Sequence, residues 1–153
     1  MLKRVLAVSA AAVLACGLST TSANAASEYV HFKNVATGRC LDYRADYGPY
    51  ATDCNGGGYQ TWLVNSAAFE LSAMRQNAGD RLCLVARNGE ATMKPCLSTD
   101  PAALWFFGPT AAGFELINHV TGTCLGEGAT ARHAVKLVEC SGGNSQLWVW
   151  QSA

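Results

Sequence analysis

Thr37-Gly38-Arg39-Cys40-Leu41-Asp42, followed by Cys54-Asn55-Gly56-Gly57 and Tyr59-Gln60-Thr61-Trp62, is the stretch that decides how this chain folds, because its skeleton recurs twice more. Cys40, Leu41, Cys54 and Trp62 are matched by Cys83, Leu84, Cys96 and Trp105, and again by Cys124, Leu125, Cys140 and Trp148. The tryptophans lie 43 residues apart at both steps, and the first cysteines 43 and then 41 apart. An asparagine stands six residues before each first cysteine, at Asn34, Asn77 and Asn118. A fixed period of this size means that one supersecondary unit is used three times, each copy burying its apolar face against the others. The units run over about residues 28–66, 67–110 and 111–153.

The chain opens with a segment that does not belong to the units. Met1-Leu2-Lys3-Arg4 is basic, Val5–Leu18 is apolar, and Ala23-Asn24-Ala25 presents small residues where a signal peptidase cuts. Residues 1–25 therefore read as a secretory leader, with a single mature domain over 26–153. The competing reading is a lipid anchor on Cys16, since Val13-Leu14-Ala15-Cys16 loosely follows a lipobox. No later stretch has the ~20 apolar residues of a membrane-spanning helix, so a secreted, extracellular protein without membrane insertion is expected. Removing the leader leaves nine basic against eleven acidic side chains. That balance argues against a nucleic-acid or anionic-membrane partner, which would require a basic face.

Six cysteines remain after the leader, an even number that reads as a disulfide framework in an exported domain. Of the 15 connectivities that six cysteines allow, the simple one that treats the copies alike is Cys40–Cys54, Cys83–Cys96 and Cys124–Cys140. Zinc is not expected, because these spacings are too long for C-x₂₋₄-C knuckles. Short alternating runs suggest strands around Val30–Phe32, Phe114–Leu116 and Val135–Leu137, with Gly56-Gly57-Gly58, Gly113 and Gly142-Gly143 as breaks. The fold class is all-β, with three or four strands per unit and the tryptophans in a shared core.

Gly38-Arg39-Cys40-Leu41-Asp42 with Gln60-Thr61-Trp62, and Gln146-Leu147-Trp148 in the third unit, resemble the ricin-type lectins, marked by a C-L-D turn and a Q-x-W signature in each repeat. The second unit departs, with Leu104 set against the glutamine. The resemblance covers essentially the whole mature chain and implies a twelve-stranded β-trefoil of pseudo-threefold symmetry. Thr37–Trp62 is similar, without a gap, to the repeat of the actinohivin-type lectins for high-mannose glycans. That similarity implies Asp42, Tyr50, Asn55 and Tyr59 as a mannose-binding group; it breaks between Tyr43 and Gly48, where Arg44, Ala45 and nearby Pro49 differ.

These residue types suit a sugar. A carboxylate accepts from adjacent hydroxyls, an amide completes the network, and tyrosines cover the C–H face while offering a hydroxyl at the edge. The Cys40–Cys54 bridge would tie Asp42 to Asn55 and reduce the ordering cost of binding. Structural alternatives stand beside each: an Asx-turn for Asp42, a turn dipeptide for Asn55-Gly56, half-buried packing for Tyr59. Gln60 and Gln146 read as structural supports. In the other units Asp42 is matched by Val85 and Gly126, Asn55 by Leu97 and Ser141, and Tyr59 by Ala103 and Ser145, so both sites read as vacated. Glu127, beside the vacated third position, is expected to be inert.

Catalysis is not expected. His31, His119 and His133 lack a nucleophile motif, the mature cysteines are committed to bridges, and Gly56-Gly57-Gly58 lacks the Lys-Ser/Thr of a phosphate loop. Asp42, Asp46 and Asp53 are the only clustered carboxylates, and no cofactor is implied. The expected function is carbohydrate binding by a monomer, to a mannose-type glycan, through a single pocket in the first unit. The alternative is a trefoil scaffold for protein contact, an inhibitor or interaction module, presenting a protruding Tyr47-Pro49-Tyr50 loop.

Overall fold

A computed structural model describes residues 26–65, 71–130 and 132–153. The leader read over residues 1–25, with Cys16, lies outside the described residues. Each repeat begins with one long barrel strand, continues into a hairpin, and returns to the barrel with a strand that carries the tryptophan. In the first repeat these are β1 (Ser27–Asn34), β2 (Cys40–Arg44), β3 (Gly48–Thr52) and β4 (Trp62–Asn65). The second repeat has β5 (Ser72–Ala73), β6 (Arg75–Gln76), β7 (Cys83–Arg87), β8 (Glu90–Lys94) and β9 (Leu104–Pro109). The third has β10 (Phe114–Asn118), β11 (Cys124–Glu127), β12 (Val135–Val138) and β13 (Leu147–Ser152). Thirteen segments stand in place of the implied twelve because the opening strand of the second repeat is interrupted at Met74.

Antiparallel pairing closes a ring: β1 on β4, β4 on β6, β5 on β9, β9 on β10, β10 on β13 and β13 back on β1. The hairpins β2–β3, β7–β8 and β11–β12 lie off this ring and cap one end. This is a β-trefoil, and closure removes the barrel's exposed strand edges. The bridges Cys40–Cys54, Cys83–Cys96 and Cys124–Cys140 each stay within one repeat, with Cα–Cα distances of 5.0 Å in all three.

The recurrent leucine and tryptophan have one joint explanation. Trp62, Trp105 and Trp148 are fully buried, and a buried indole must place its N–H on an acceptor. Each donates to the carbonyl of the leucine after the first cysteine: Leu41 at 3.1 Å, Leu84 at 2.9 Å and Leu125 at 2.8 Å. Those leucine side chains are themselves fully buried in the same cluster. The tryptophan strand of each repeat is thus fastened to the base of its own hairpin.

Backbone bonding also corrects one repeat marker. The amide N–H groups of Asn34 and Asn118 donate to the carbonyls of Arg39 and Thr123, and in the second repeat the matching bond runs from Gln76 to Leu82. Trp148 and Trp105 pair across strands with Asn34 and Asn118, and Trp62 pairs with Gln76. The equivalent of Asn34 is therefore Gln76, not Asn77: the turn before Cys83 is one residue longer than its counterparts.

Candidate functional site

Asp42 and Tyr50 face each other as a cross-strand pair of β2 and β3, and Asn55 and Tyr59 follow on the loop that leads to β4. All four line one cleft of about 820 Å³, together with Tyr43, Gly57 and, from the second repeat, Gln76, Gly79, Asp80 and Leu82. The sequence-predicted set is thus brought together in space. The second repeat supplies part of the lining, which no motif of the first repeat marks. This contribution arises because the elongated turn after β6 forms the opposite wall, a pairing between repeats that no motif within one repeat encodes.

Asp42 is buried, with only 4% of its surface exposed. Its Oδ1 accepts from the Tyr43 backbone N–H at 2.6 Å and its Oδ2 from Gln60 Nε2 at 2.9 Å. The Asx-type bond and the ligand role are compatible, since a carboxylate has about four acceptor positions and these bonds use two. Gln60 is fully buried and clamps the second cysteine from both sides, donating to the Asp53 carbonyl at 3.0 Å and accepting from the Asn55 N–H at 2.8 Å. Gln146 does the same around Cys140, donating to Glu139 and accepting from the Ser141 N–H. The glutamine of the Q-x-W signature is therefore the strut that fixes the loop after the bridge. In the first repeat alone it also holds the carboxylate. Counting back from the tryptophans sets Ala103 against Gln60 and Ala102 against Tyr59, correcting the match of Leu104 and Ala103 to those positions.

Asn55 Oδ1 accepts from the Gly57 N–H at 2.8 Å, an Asx-turn that fixes the side chain and leaves its NH₂ turned to no partner among the described residues. Tyr59 is 48% exposed. Its hydroxyl lies so close to the turn opposite that a Cβ on Gly79 would sit 3.2 Å from it, and Gly79 holds a φ of +53° that favours glycine. Tyr50 packs edge-on against Tyr47, with ring centroids 4.9 Å apart. Burial, then the negative charge of Asp42, push the Tyr50 phenol up to about 12. Its hydroxyl therefore stays a donor throughout the neutral range. Stability present below the ordinary tyrosine value of about 10 is therefore lost as pH rises toward about 12. Tyr50→Phe should flatten that alkaline loss, as measured by denaturant unfolding at several pH values between the two.

The Tyr47-Pro49-Tyr50 segment, expected to protrude, is half-buried at both tyrosines. Pro49 is buried, and the Arg44 and Arg132 guanidinium groups lie over the Tyr47 ring, 4.8 and 5.2 Å from its centroid. Arg44 is also paired with Asp46 at 2.9 Å across an exposed rim.

The other two repeats are filled differently. In the second, Val85 is fully buried against Cys83 and Ala103, and Arg87 pairs with Asp100 at 2.6 Å. In the third, Glu127 is not idle: its side chain is 2% exposed and lies 3.0 Å from His133 Nδ1 and 3.7 Å from Arg39 Nη1. Thr37 Oγ1 donates to its second oxygen at 2.5 Å. Thr37 and Arg39 belong to the turn that faces the third repeat as Gly79 and Asp80 face the first, so this cluster closes the third position. A further cleft of about 770 Å³ lies between the three hairpins, lined by Pro49, Glu90, Ala91, Val135 and Lys136 among others. It lacks a carboxylate–amide pair like that of Asp42 and Asn55.

Residues 28–148 match the model of the ricin-type β-trefoil lectin domain, and the chain belongs to that family. No curated protein matches it by sequence. Among solved structures it is similar to the designed threefold-symmetric protein ThreeFoil, at 16% identity and a TM-score of 0.71, over 82% of this chain and 99% of that one. It is similar to the Rhizoctonia solani agglutinin at 15% identity and a TM-score of 0.69, over 84% and 96% of the two chains. It is also similar to SeviL, solved bound to the asialo-GM1 saccharide, at 15% identity and a TM-score of 0.66, over 84% and 99%. No helix among the described residues is long and apolar enough to cross a membrane.

Proposed function

We propose that this is a secreted, monomeric, non-enzymatic lectin that binds a mannose-type glycan through one pocket in its first repeat. The observation that carries the reading is the convergence of Asp42, Tyr50, Asn55 and Tyr59 on one cleft, with the carboxylate already oriented by Tyr43 and Gln60. Asp42 accepts from adjacent sugar hydroxyls, the free NH₂ of Asn55 donates, and the exposed ring of Tyr59 covers the C–H face. Secretion is supported by the basic-then-apolar start of the chain and by six paired cysteines, which persist in oxidising compartments. The similarity of Thr37–Trp62 to the actinohivin-type repeat motivates the choice of mannose.

One pocket per chain limits affinity, because a monomer gains nothing from engaging several branches of a glycan at once. A mannose disaccharide is expected to bind with a dissociation constant of about 0.1–1 mM, or roughly 4–5.5 kcal/mol. Calorimetric titration of the oxidised protein should return one site per chain. A stoichiometry of two or three would show that the positions of Val85 and Gly126 still bind. A glycan array on the same protein tests the sugar class itself.

A further inference from the structure

Gln76 stands at a position where the other repeats have asparagine, and the difference is costly. Asn34 and Asn118 are buried, and each spans its repeat boundary. Their Nδ2 atoms donate to the carbonyls of Ser145 at 2.9 Å and Ala102 at 2.8 Å. Their Oδ1 atoms accept from the backbone N–H groups of Ala36 and Val120. The matching acceptor for Gln76 is the carbonyl of Tyr59, three residues before its tryptophan. Gln76, longer by one methylene, does not make that bond: it is 1% exposed and its Nε2 has no hydrogen-bond partner. An orphaned buried donor costs free energy on the scale of a lost hydrogen bond.

The location of this defect gives it meaning. The asparagines border the second and third positions, where the carboxylate, amide and aromatic set is missing. Gln76 borders the first, where the set is intact, and lines the same cleft as Asp42, Tyr50 and Tyr59. We propose that Gln76 is a ligand-binding residue of this cleft, its amide donating to an oxygen of the bound glycan, so that the pocket is shared between the first and second repeats. This rests on the sugar reading given above. The amide has no accessible surface as it stands, so donation requires rotation about its last torsions, which the extra methylene permits. The one-residue insertion that brings Gly79 and Asp80 to the opposite wall belongs to the same arrangement. A neutral saccharide, rich in hydroxyl and ring-oxygen acceptors, is the ligand chemistry that an uncharged donor beside a carboxylate fits.

Two variants test this. Gln76→Asn restores the residue of the other repeats and lets the amide reach the Tyr59 carbonyl. It should raise the melting temperature by about 2–5 °C while weakening binding about three- to tenfold. Gln76→Met keeps the length without the donor and should weaken binding by a similar factor in a folded protein. Both are read against wild type on immobilised mannose-, galactose- and N-acetylglucosamine-terminated glycans, with thermal unfolding alongside. Undiminished binding by both variants overturns the proposal and leaves the sugar reading standing. Full affinity in Gln76→Met alone overturns the donor role, since length rather than the amide would then matter. A lower melting temperature in Gln76→Asn overturns the premise that the amide is unpartnered. Wild type binding none of the three glycans removes the sugar reading and this proposal together.

Discussion

Replacing Asp42 by alanine should eliminate detectable glycan binding and, at the same time, cost the fold about 1–3 kcal/mol. The binding loss follows from charge-assisted hydrogen bonds worth about 1.5–3 kcal/mol each. Losing two of them from a ligand held at roughly 4–5.5 kcal/mol leaves nothing to measure. The stability loss follows from burial: Asp42 accepts from the Tyr43 N–H and from Gln60 Nε2, and the former loses its partner outright. Gln60 keeps the Asp53 carbonyl, so the loop after the bridge stays fastened and the protein folds. Alanine is a cleaner probe than asparagine, because an amide in place of the carboxylate turns its NH₂ toward one of two donors whichever way it flips. Glu127→Ala is unsuitable as an inert control, since Glu127 is buried against His133 and Arg39. Array binding and denaturant unfolding, measured on the same preparation, separate the two effects. Glycan binding retained in a folded Asp42→Ala protein would place the site elsewhere.

The fold was legible because its signals repeat. Three copies of a cysteine pair and a tryptophan state both the symmetry and the pairing of the bridges, and the leucine after each first cysteine is explained by the indole bond it receives. Asp42, Tyr50, Asn55 and Tyr59 were legible as a group because they sit within one unit, close in sequence to a single disulfide. What spacing could not reveal is what crosses between units. Counting six residues back from Cys83 selects Asn77, whereas strand pairing selects Gln76, since an insertion in a turn moves every residue before it. Glu127 read as idle for the same reason: its partners Thr37 and Arg39 lie some 90 residues away in the first repeat. The opposed roles of the three positions also emerge only in space. One keeps a carboxylate held in place by the Q-x-W glutamine, one is packed with Val85 and alanine, and one is closed where Thr37, Arg39 and His133 gather on the buried Glu127 side chain.

Reducing all three bridges in the oxidised protein should unfold it or leave it marginal at physiological temperature. Cys40–Cys54, Cys83–Cys96 and Cys124–Cys140 close loops spanning 14, 13 and 16 residues, each worth about 3 kcal/mol in the loop-entropy model. Together they rival the roughly 5–15 kcal/mol net stability of a small domain. The three are not equivalent in consequence for binding. Cys40–Cys54 anchors both sides of the cleft, with Asp42 two residues after one sulfur and Asn55 immediately after the other. Its removal by paired Cys→Ser substitution should weaken glycan binding beyond what the folded fraction explains. Removal of Cys124–Cys140 should lower stability by a similar amount and leave the affinity of the folded fraction unchanged. Denaturant unfolding gives the stability of each double variant, and titration corrected for folded fraction gives the affinity. Equal affinity losses from the two removals would mean that the bridge near Asp42 supports the domain as a whole and does not preorganise the pocket.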